Sequence, residues 1–379
     1  MSRTVDVTRG VRDGRVSAMW SRQHDKRHLS LDSLYADMRE KMVASQDVVV
    51  ELSTIKPFYG DGEFMLDVPK YSKALIPTHW SFSQLCKEIS VPAEFMRRLP
   101  PKLVVENMSY ALSTSSGKAK VLARKSDNND VADVFTAITG PDYGRIWDAE
   151  MVFMFVEALK SSDRKWKVPG VLDWQTKQYD PWVPVTEETT TLFSSDRSCF
   201  AFVVDDIDGI EIGKLANGDP DIVFPGVYAS NSEVGERKIE FGMYISRAIC
   251  ANRTVWGIEW QTHFSIRHTK NAPARFTNTV EALKVPETID KDGIVMRFKA
   301  AKELVIAKTD EDAHKFIVDL GYGIKEAKMI TSLVLVEEQR PLRTLLDAVN
   351  GITAYAKGET HVGERFKHEL IARKLMASA

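Results

Sequence analysis

One stretch of the chain combines basic and aromatic side chains. Between residues 237 and 276 the only acidic residues are Glu240 and Glu259. Cationic side chains bind phosphates and aromatic rings stack on bases, which is how single-stranded nucleic acid is held without sequence readout. The segment therefore predicts a nucleic-acid-binding surface. The candidate contacts are Arg237, Lys238, Arg247, Arg253, Trp256, Trp260, Arg267, His268, Lys270 and Arg275.

The aromatic residues of this segment have a second interpretation. Apolar and polar residues alternate from Trp256 to Ile266, which predicts a strand. Trp256, Trp260 and Phe264 would then share one face. That face is either a stacking platform for bases or part of the core, with the arginines on the solvent side, and the sequence leaves both open.

The preceding segment, 187–236, has the opposite charge, with Arg197 and Lys214 as its only basic residues. Its most closely spaced acidic residues are Asp205, Asp206 and Asp208. Several neighbouring carboxylates suit a hard divalent cation. Asp208 is followed by glycine, however, and this pair is typical of a turn in which aspartate makes local hydrogen bonds. We favour the turn, and predict no bound metal.

A short polar box lies between the two charged segments. It consists of Ser230, Asn231, Ser232 and Glu233 and is followed by Val234 and Gly235. These short hydrogen-bonding residues predict a structural turn, since glycine permits a positive φ there. Glu233 is expected to be a buried carboxylate paired with Arg247 or Arg267. The alternative is that Glu233 acts as a general base.

Recognisable catalytic and cofactor motifs are missing from the sequence. It contains no phosphate-binding loop, no H-E-x-x-H and no G-x-S-x-G. We therefore predict no cofactor and assign no catalytic residue. A site assembled from distant residues would leave no such motif, so an enzyme stays open although a binding protein is favoured.

Composition narrows the class of protein. The net charge of −2 gives no global attraction to nucleic acid or membrane. The three cysteines, Cys86, Cys199 and Cys250, are widely separated, which predicts free thiols in a reducing compartment, the cytoplasm. No apolar core follows the first arginines and no run of 18 apolar residues occurs, so neither a secretory signal nor a membrane span is expected.

The order of the periodic segments predicts an α+β fold. A mixed or mainly antiparallel central sheet is expected, with flanking helices and a helical C-terminal part. The predicted parts are a flexible basic arm at 1–30, an N-terminal α+β part at 31–165, a β-rich central part at 166–285 and a mainly helical part at 286–379. Two short helices predicted within 81–99 suggest a helix-turn-helix, but prolines follow the second, so a purely structural role is favoured.

Five stretches carry a family resemblance. They are T-H-W-S-F-S-Q-L-C-K-E-I-S-V-P from Thr78, Y-A-S-N-S-E-V-G from Tyr228, S-R-A-I-C-A-N from Ser246, I-R-H-T from Ile266 and D-A-V-N-G-I-T-A-Y-A from Asp347. In this order the chain, from Val48 onward, resembles the phage/plasmid-like protein family, defined as domain of unknown function number nine hundred and thirty-two. It departs from the commoner pattern at Arg253, where many members have glycine.

The resemblance implies a setting and no catalytic residues. Proteins of phages, prophages and plasmids often handle DNA or counter host defence. Together with the basic segment, this predicts a protein that binds, anneals or protects single-stranded DNA without sequence specificity. The alternatives are a metal-dependent enzyme acting on nucleic acid and an anti-defence protein that binds a host DNA-handling protein. A homo-oligomer and a host defence or recombination protein are left open as partners; a membrane is not expected.

Overall fold

The computed structural model describes residues 22–126, 132–172, 179–180, 182–214, 218–247, 253–254, 264–280 and 289–379. The strands are β1 (Lys26–His28), β2 (Ser45–Glu51), β3 (Lys56–Gly60), β4 (Glu63–Asp67), β5 (Leu75–Pro77), β6 (Lys118–Arg124), β7 (Asp133–Thr139), β8 (Val171–Leu172), β9 (Tyr179–Asp180), β10 (Leu192–Ser194), β11 (Cys199–Val204), β12 (Ile210–Lys214), β13 (Pro220–Asn231), β14 (Ile239–Arg247), β15 (Arg253–Thr254) and β16 (Phe264–Ile266). The helices are α1 (Leu31–Val43), α2 (His79–Glu88), α3 (Ala93–Met96), α4 (Pro101–Thr114), α5 (Asp148–Lys160), α6 (Ala272–Val280), α7 (Lys291–Glu303), α8 (Asp310–Asp319), α9 (Ile324–Glu338), α10 (Leu345–Lys357) and α11 (Val362–Ala377).

Two sheets organise these elements. The first has the order β1-β10-β11-β13-β14-β15, with β12 paired to β13 and β16 to β14, and its pairs are antiparallel. The second has the order β2-β6-β7-β5-β4-β3 and one parallel pair, β5 with β7. Helices α7 to α11 follow the sheets in the chain. The predicted α+β class, with its mainly antiparallel sheets and helical C-terminal part, is confirmed.

Separate apolar clusters hold the layers together. In the second sheet, Phe64 and Phe135 pack with Phe82 of α2. Helix α5 covers the first sheet, where Phe155 contacts Phe241. Burying one such phenylalanine contributes about 1.5–3 kcal/mol. These contacts fix the loops at the ends of the strands, where the candidate site lies.

The long strand β13 corrects one predicted pairing. In the sequence, the strand-like segments Cys199 to Val204 and Ile207 to Ile212 flank a short Asp-rich turn, which predicts a hairpin between them. Instead β12 pairs with the first part of β13 and β11 with its second part. Because β13 has twelve residues, it offers enough hydrogen-bonding length for both short strands.

The two short helices also differ from prediction. In the sequence, Ser81 followed by Gln84 predicts a capping box. Helix α2 instead begins at His79, and its capping box is made by Thr78 and Ser81. Helix α3 has only four residues, and the prolines after it start α4, with Pro101 in the first turn. Proline suits that position because its missing N–H would have no partner there.

The flexible arm predicted for residues 1–30 includes residues that the structure places in a strand. Residues 26–28 form β1 at the edge of the first sheet, and His28 is buried against Ser194. Residues 1–21 lie outside the described part of the chain. No described helix combines the length and apolar character needed to cross a membrane.

Candidate functional site

The polar box lies where the two sheets meet. It continues from the end of β13, and Ser230, Asn231, Ser232 and Glu233 are all buried. The next carbonyl, that of Val234, accepts hydrogen bonds from Trp80 Nε1 at 3.1 Å and Gln84 Nε2 at 2.7 Å. The end of one strand is therefore held by α2, which packs on the other sheet.

Both the carboxylate and the backbone carbonyl of Glu233 accept hydrogen bonds. Its Oε1 accepts from Arg124 Nη2 at 2.9 Å and its Oε2 from the Asp148 amide at 3.2 Å, while its backbone carbonyl accepts from the Arg145 guanidinium. The expected partners, Arg247 and Arg267, were wrong, because β6 brings Arg124 to this point. The structural role predicted for Glu233 fits these contacts, since a buried carboxylate needs such donors.

Asp148 is a second buried acid of the site. Its Oδ1 accepts from Asn231 Nδ2 at 2.9 Å. Burial raises the pKa of this carboxyl well above its usual range, and the nearby negative charge of Glu233 raises it further. This direction of shift favours the neutral form of the carboxyl relative to that of an exposed aspartate.

His268 completes the network. Burial lowers the pKa of its imidazole to about 4, and the positive charge of Arg145 lowers it too, so the ring is neutral at physiological pH. Asn231 Oδ1 lies 3.1 Å from Nε2, and because its Nδ2 already donates to Asp148 and to Ile146, we assign the proton to Nε2. Nδ1, which also lies 3.2 Å from the Gly144 carbonyl oxygen, then accepts from the Ile146 amide at 3.4 Å.

This network suits a structural tie better than catalysis. Asp148, Asn231 and Glu233 are buried, so a substrate has no direct access to their polar atoms. Within the described ranges, no group of three or more histidine, cysteine, aspartate or glutamate side chains is placed to hold a metal ion.

The surface beside the network contains a cavity of about 370 Å³. It lies against the loop formed by residues 140–147, which joins β7 to α5. Its lining residues are Asp47, Lys120, Pro141, Asp142, Tyr143, Gly144, Arg145, Trp147, Lys270 and Pro273. The cavity thus brings three cations, two carboxylates and two aromatic rings together.

The walls of the cavity are tied to the polar box. Tyr143 donates its hydroxyl hydrogen bond to the Ser232 carbonyl at 3.1 Å, and its ring stacks on His268 with centroids 5.0 Å apart. Arg145 donates to the Glu233 carbonyl. It also donates to the two carboxylate oxygens of Asp47, both at 3.1 Å. The box therefore positions the cavity, although its own side chains do not line it.

Three predicted nucleic-acid contacts are exposed and lie close together in the sequence. Arg267, Lys270 and Arg275 follow β16 and continue into α6, and we name them the basic strip. Lys270 is also part of the cavity lining. Lys238 is partly exposed and lies 3.8 Å from Glu240.

Two other predicted contacts, the buried Arg247 and the partly buried Arg237, are engaged by groups of this chain. Arg247 makes ion pairs with Asp221 at 2.6 Å and Glu338 at 2.7 Å. The Arg237 guanidinium lies over the rings of Phe200 and Phe366. Neither side chain can reach a phosphate without leaving these partners.

The predicted aromatic platform is only partly described. Trp256 and Trp260 lie outside the described residues, and so does the side chain of Arg253. Phe264 packs against Phe241 and Phe276. For the described rings of the segment, the core interpretation fits the structure.

The acidic cluster is neutralised by cations of this chain. Asp205 pairs with Arg164 at 2.9 Å, and Asp206 with Lys167 at 2.6 Å. Asp208 pairs with Lys291 at 2.5 Å, and these partners hold its carboxyl pKa below the usual range although burial opposes them. Arg164 also lies 3.3 Å from Asp208, so every carboxylate of the cluster is ion-paired within the chain.

Several cavity residues were missed by sequence reasoning. Lys120, Arg145 and Trp147 come from β6 and from the 140–147 loop, more than 100 residues before the basic strip. The signal that could have found them is the turn-prone P-D-Y-G-R-I-W from Pro141, which combines a cation with two aromatic rings.

A second cavity, of about 380 Å³, lies between the N-terminal segment and the start of α11. Three carboxylates, those of Asp25, Glu188 and Glu359, line it together with basic residues. Asp25 accepts a hydrogen bond from the Val362 amide at 2.5 Å and so caps α11. This mixture of charges does not favour an anionic ligand.

The residues described above define an α+β protein with a buried polar tie and a cation-lined surface cavity. Comparisons of the chain with protein-family models, with curated proteins and with solved structures found no match. The resemblance to the phage/plasmid-like protein family therefore stays a prediction.

Proposed function

We propose that this chain is a nucleic-acid-binding protein of a phage or plasmid, and that its ligand is single-stranded DNA held without sequence specificity. The observation that carries the proposal is the exposure of the basic strip beside a cavity that has further cations and a tryptophan. The mobile-element setting rests on the family resemblance alone.

Electrostatic attraction is local because the whole chain is almost neutral. Arg267, Lys270 and Arg275 are all exposed and lie within nine residues of one another. Exposed cations bind phosphates by releasing counterions, and this interaction needs no base contacts. Such a strip supports binding to a nucleic-acid backbone of any sequence.

The preference for a single strand rests on Trp147. Its indole is half-buried and forms part of the cavity wall. Bases of a single strand are free to contact such a ring, whereas those of a duplex are stacked on each other.

An anti-defence decoy or a metal-dependent enzyme receives less support, because Arg164, Lys167 and Lys291 neutralise the acidic cluster.

The test is a fluorescence-anisotropy titration with single-stranded DNA, duplex DNA and single-stranded RNA at several salt concentrations. The variant replaces Arg267, Lys270 and Arg275 by glutamine. Its matched control replaces the exposed Lys160, Lys325 and Lys328, which lie on α5 and α9.

Binding of wild type should weaken with salt, and the strip variant should flatten the log–log slope by about 0.7 for each lost phosphate contact. The control variant should keep the wild-type slope. Absence of binding to single-stranded DNA, or an unchanged slope in the folded strip variant, would contradict the proposal.

A further inference from the structure

We infer that the cavity beside the basic strip takes one nucleotide unit of the bound strand, so that a free nucleoside monophosphate also binds there. This inference rests on the proposed function and specifies the ligand of that same site. It is carried by the placement of cations and of an apolar wall in one space of suitable size.

Two lysines supply donors for the phosphate. Lys120 Nζ donates to the Tyr143 carbonyl at 2.7 Å, which leaves two of its three N–H groups for a ligand. Lys270 Nζ lies 3.4 Å from Asp142 Oδ1, and its side chain is 77% exposed. Both ammonium groups can therefore approach a phosphate without losing a buried partner.

Arg145 adds a third positive charge to those of Lys120 and Lys270. Its guanidinium is buried and bonded to Asp47, so it belongs to the wall and does not reach outward. With Lys120 and Lys270, it gives the lining three positive charges, whereas Asp47 and Asp142 give two negative charges. The excess favours an anionic ligand.

The aromatic and proline residues of the lining suit a base. The Tyr143 ring is already in contact with His268, with centroids 5.0 Å apart, and with the Arg145 guanidinium at 5.2 Å. Trp147 is half-buried, has the Arg145 guanidinium 5.8 Å from its ring centroid and, with Pro141 and Pro273, supplies the apolar surface. Stacking on such a ring tolerates any base.

The size and rigidity of the cavity fit a small ligand. Its volume of about 370 Å³ falls in the range of about 300–1,000 Å³ that is usual for small-molecule sites. The Tyr143 hydroxyl and the Arg145 guanidinium are held by backbone carbonyls of the polar box. A wall fixed in this way exists before the ligand arrives, which lowers the entropic cost of binding.

The experiment is isothermal titration calorimetry of the full chain with thymidine 5′-monophosphate, thymidine and inorganic phosphate. Thymidine monophosphate should bind and should compete with single-stranded DNA. Thymidine and phosphate should each bind more weakly, since each makes only one half of the contacts.

The variants are Lys120→Gln and Lys270→Gln, with Lys118→Gln and Lys160→Gln as controls. Lys118 is exposed on the same strand as Lys120, and Lys160 is 69% exposed and ion-paired like Lys270. Each cavity variant should weaken nucleotide binding about tenfold, the order expected for one lost hydrogen bond to a charged group. The controls should bind as wild type does. Thermal melting checks the fold, and Lys270 is exposed enough for its variant to stay folded.

The outcomes separate this inference from the proposed function. DNA binding without nucleotide binding or competition overturns the cavity inference alone. Nucleotide binding without DNA binding overturns the proposed function and keeps the cavity. Equal affinity for phosphate and thymidine monophosphate, or unchanged binding in the folded lysine variants, would also overturn the inference.

Discussion

Asn231 donates a hydrogen bond from Nδ2 to Oδ1 of Asp148 over 2.9 Å, and this bond joins the end of β13 to the first residue of α5. The same amide accepts from His268, which follows β16. An asparagine side chain both donates and accepts, so a single residue can connect three distant segments. The candidate cavity lies over this connection, and the stability of the connection can be tested directly.

Replacing Asp148 by asparagine should change how stability depends on pH. The folded-state pKa of Asp148 is raised above its usual 3.8 by burial and by Glu233. The stability that this carboxyl contributes is therefore fully present below its usual pKa and is lost as pH rises through the folded one, by up to about 1.4 kcal/mol per pH unit. Asparagine does not titrate. The free energy of unfolding of Asp148→Asn, minus that of wild type, should grow with pH.

Denaturant unfolding at a series of pH values measures this difference. The control is Asp142→Asn, which removes an exposed carboxyl. A difference that stays constant with pH for Asp148→Asn would show that the buried carboxyl is ionised throughout.

Glu233→Gln should destabilise the protein, because it removes the counter-ion of Arg124. The side chains of Glu233 and Arg124 are 7% and 22% exposed, so we expect a loss of about 2 kcal/mol, between the values of exposed and fully buried pairs. A double-mutant cycle with Arg124→Gln measures the coupling by denaturant unfolding. Additive effects would contradict the pairing. A stable Glu233→Gln that has lost only a metal-dependent activity on nucleic acid would support the general-base alternative.

Gly144→Ala should disrupt the contact between the 140–147 loop and the basic strip. A Cβ at Gly144 would lie 2.1 Å from the Thr269 carbonyl oxygen and 2.9 Å from Pro273 Cδ. Such overpacking costs about 1–3 kcal/mol, and DNA affinity should fall because the strip must move. Gly140→Ala is the control, since its Cβ would meet nothing within 4 Å. Equal melting temperatures for the two variants would argue against this close approach.

Local patterns were enough to predict the fold class. Helical periodicity identified the C-terminal part, and β-branched or alternating runs identified several strands, because both signals depend on neighbouring residues. The pairing of strands was harder. Nothing local shows that β13 is long enough to take both β11 and β12, so the expected hairpin was wrong.

The site was less predictable because its contacts are distant in sequence. The polar box was identified from its residue types, yet Glu233 pairs with a residue 109 positions away. A charge pattern also cannot tell which cations have buried partners. Arg247 is paired with Asp221 and Glu338, whereas Arg267 is exposed.

Acid should weaken the network through His268. The folded-state pKa of this histidine is about 4 against an ordinary 6.5, with burial as the main cause. A depressed histidine pKa contributes stability that is fully present above the ordinary value and is lost as pH falls from 6.5 toward 4. Burial likewise lowers the pKa values of His28 and His79 to about 4, so they add to the effect.

The matched variant for this prediction is His268→Gln, whose amide can still donate to Asn231 but does not titrate in this range. It should be less stable than wild type at neutral pH, because the ring stacked on Tyr143 is lost. The difference in stability should narrow as pH falls below the ordinary histidine value. Only wild type then loses the stability that depends on an unprotonated His268. Urea unfolding at several pH values measures it, with His314→Gln on α8 as a control outside the network. A deficit that stays constant down to the folded-state pKa would show that His268 is not the acid-sensitive group.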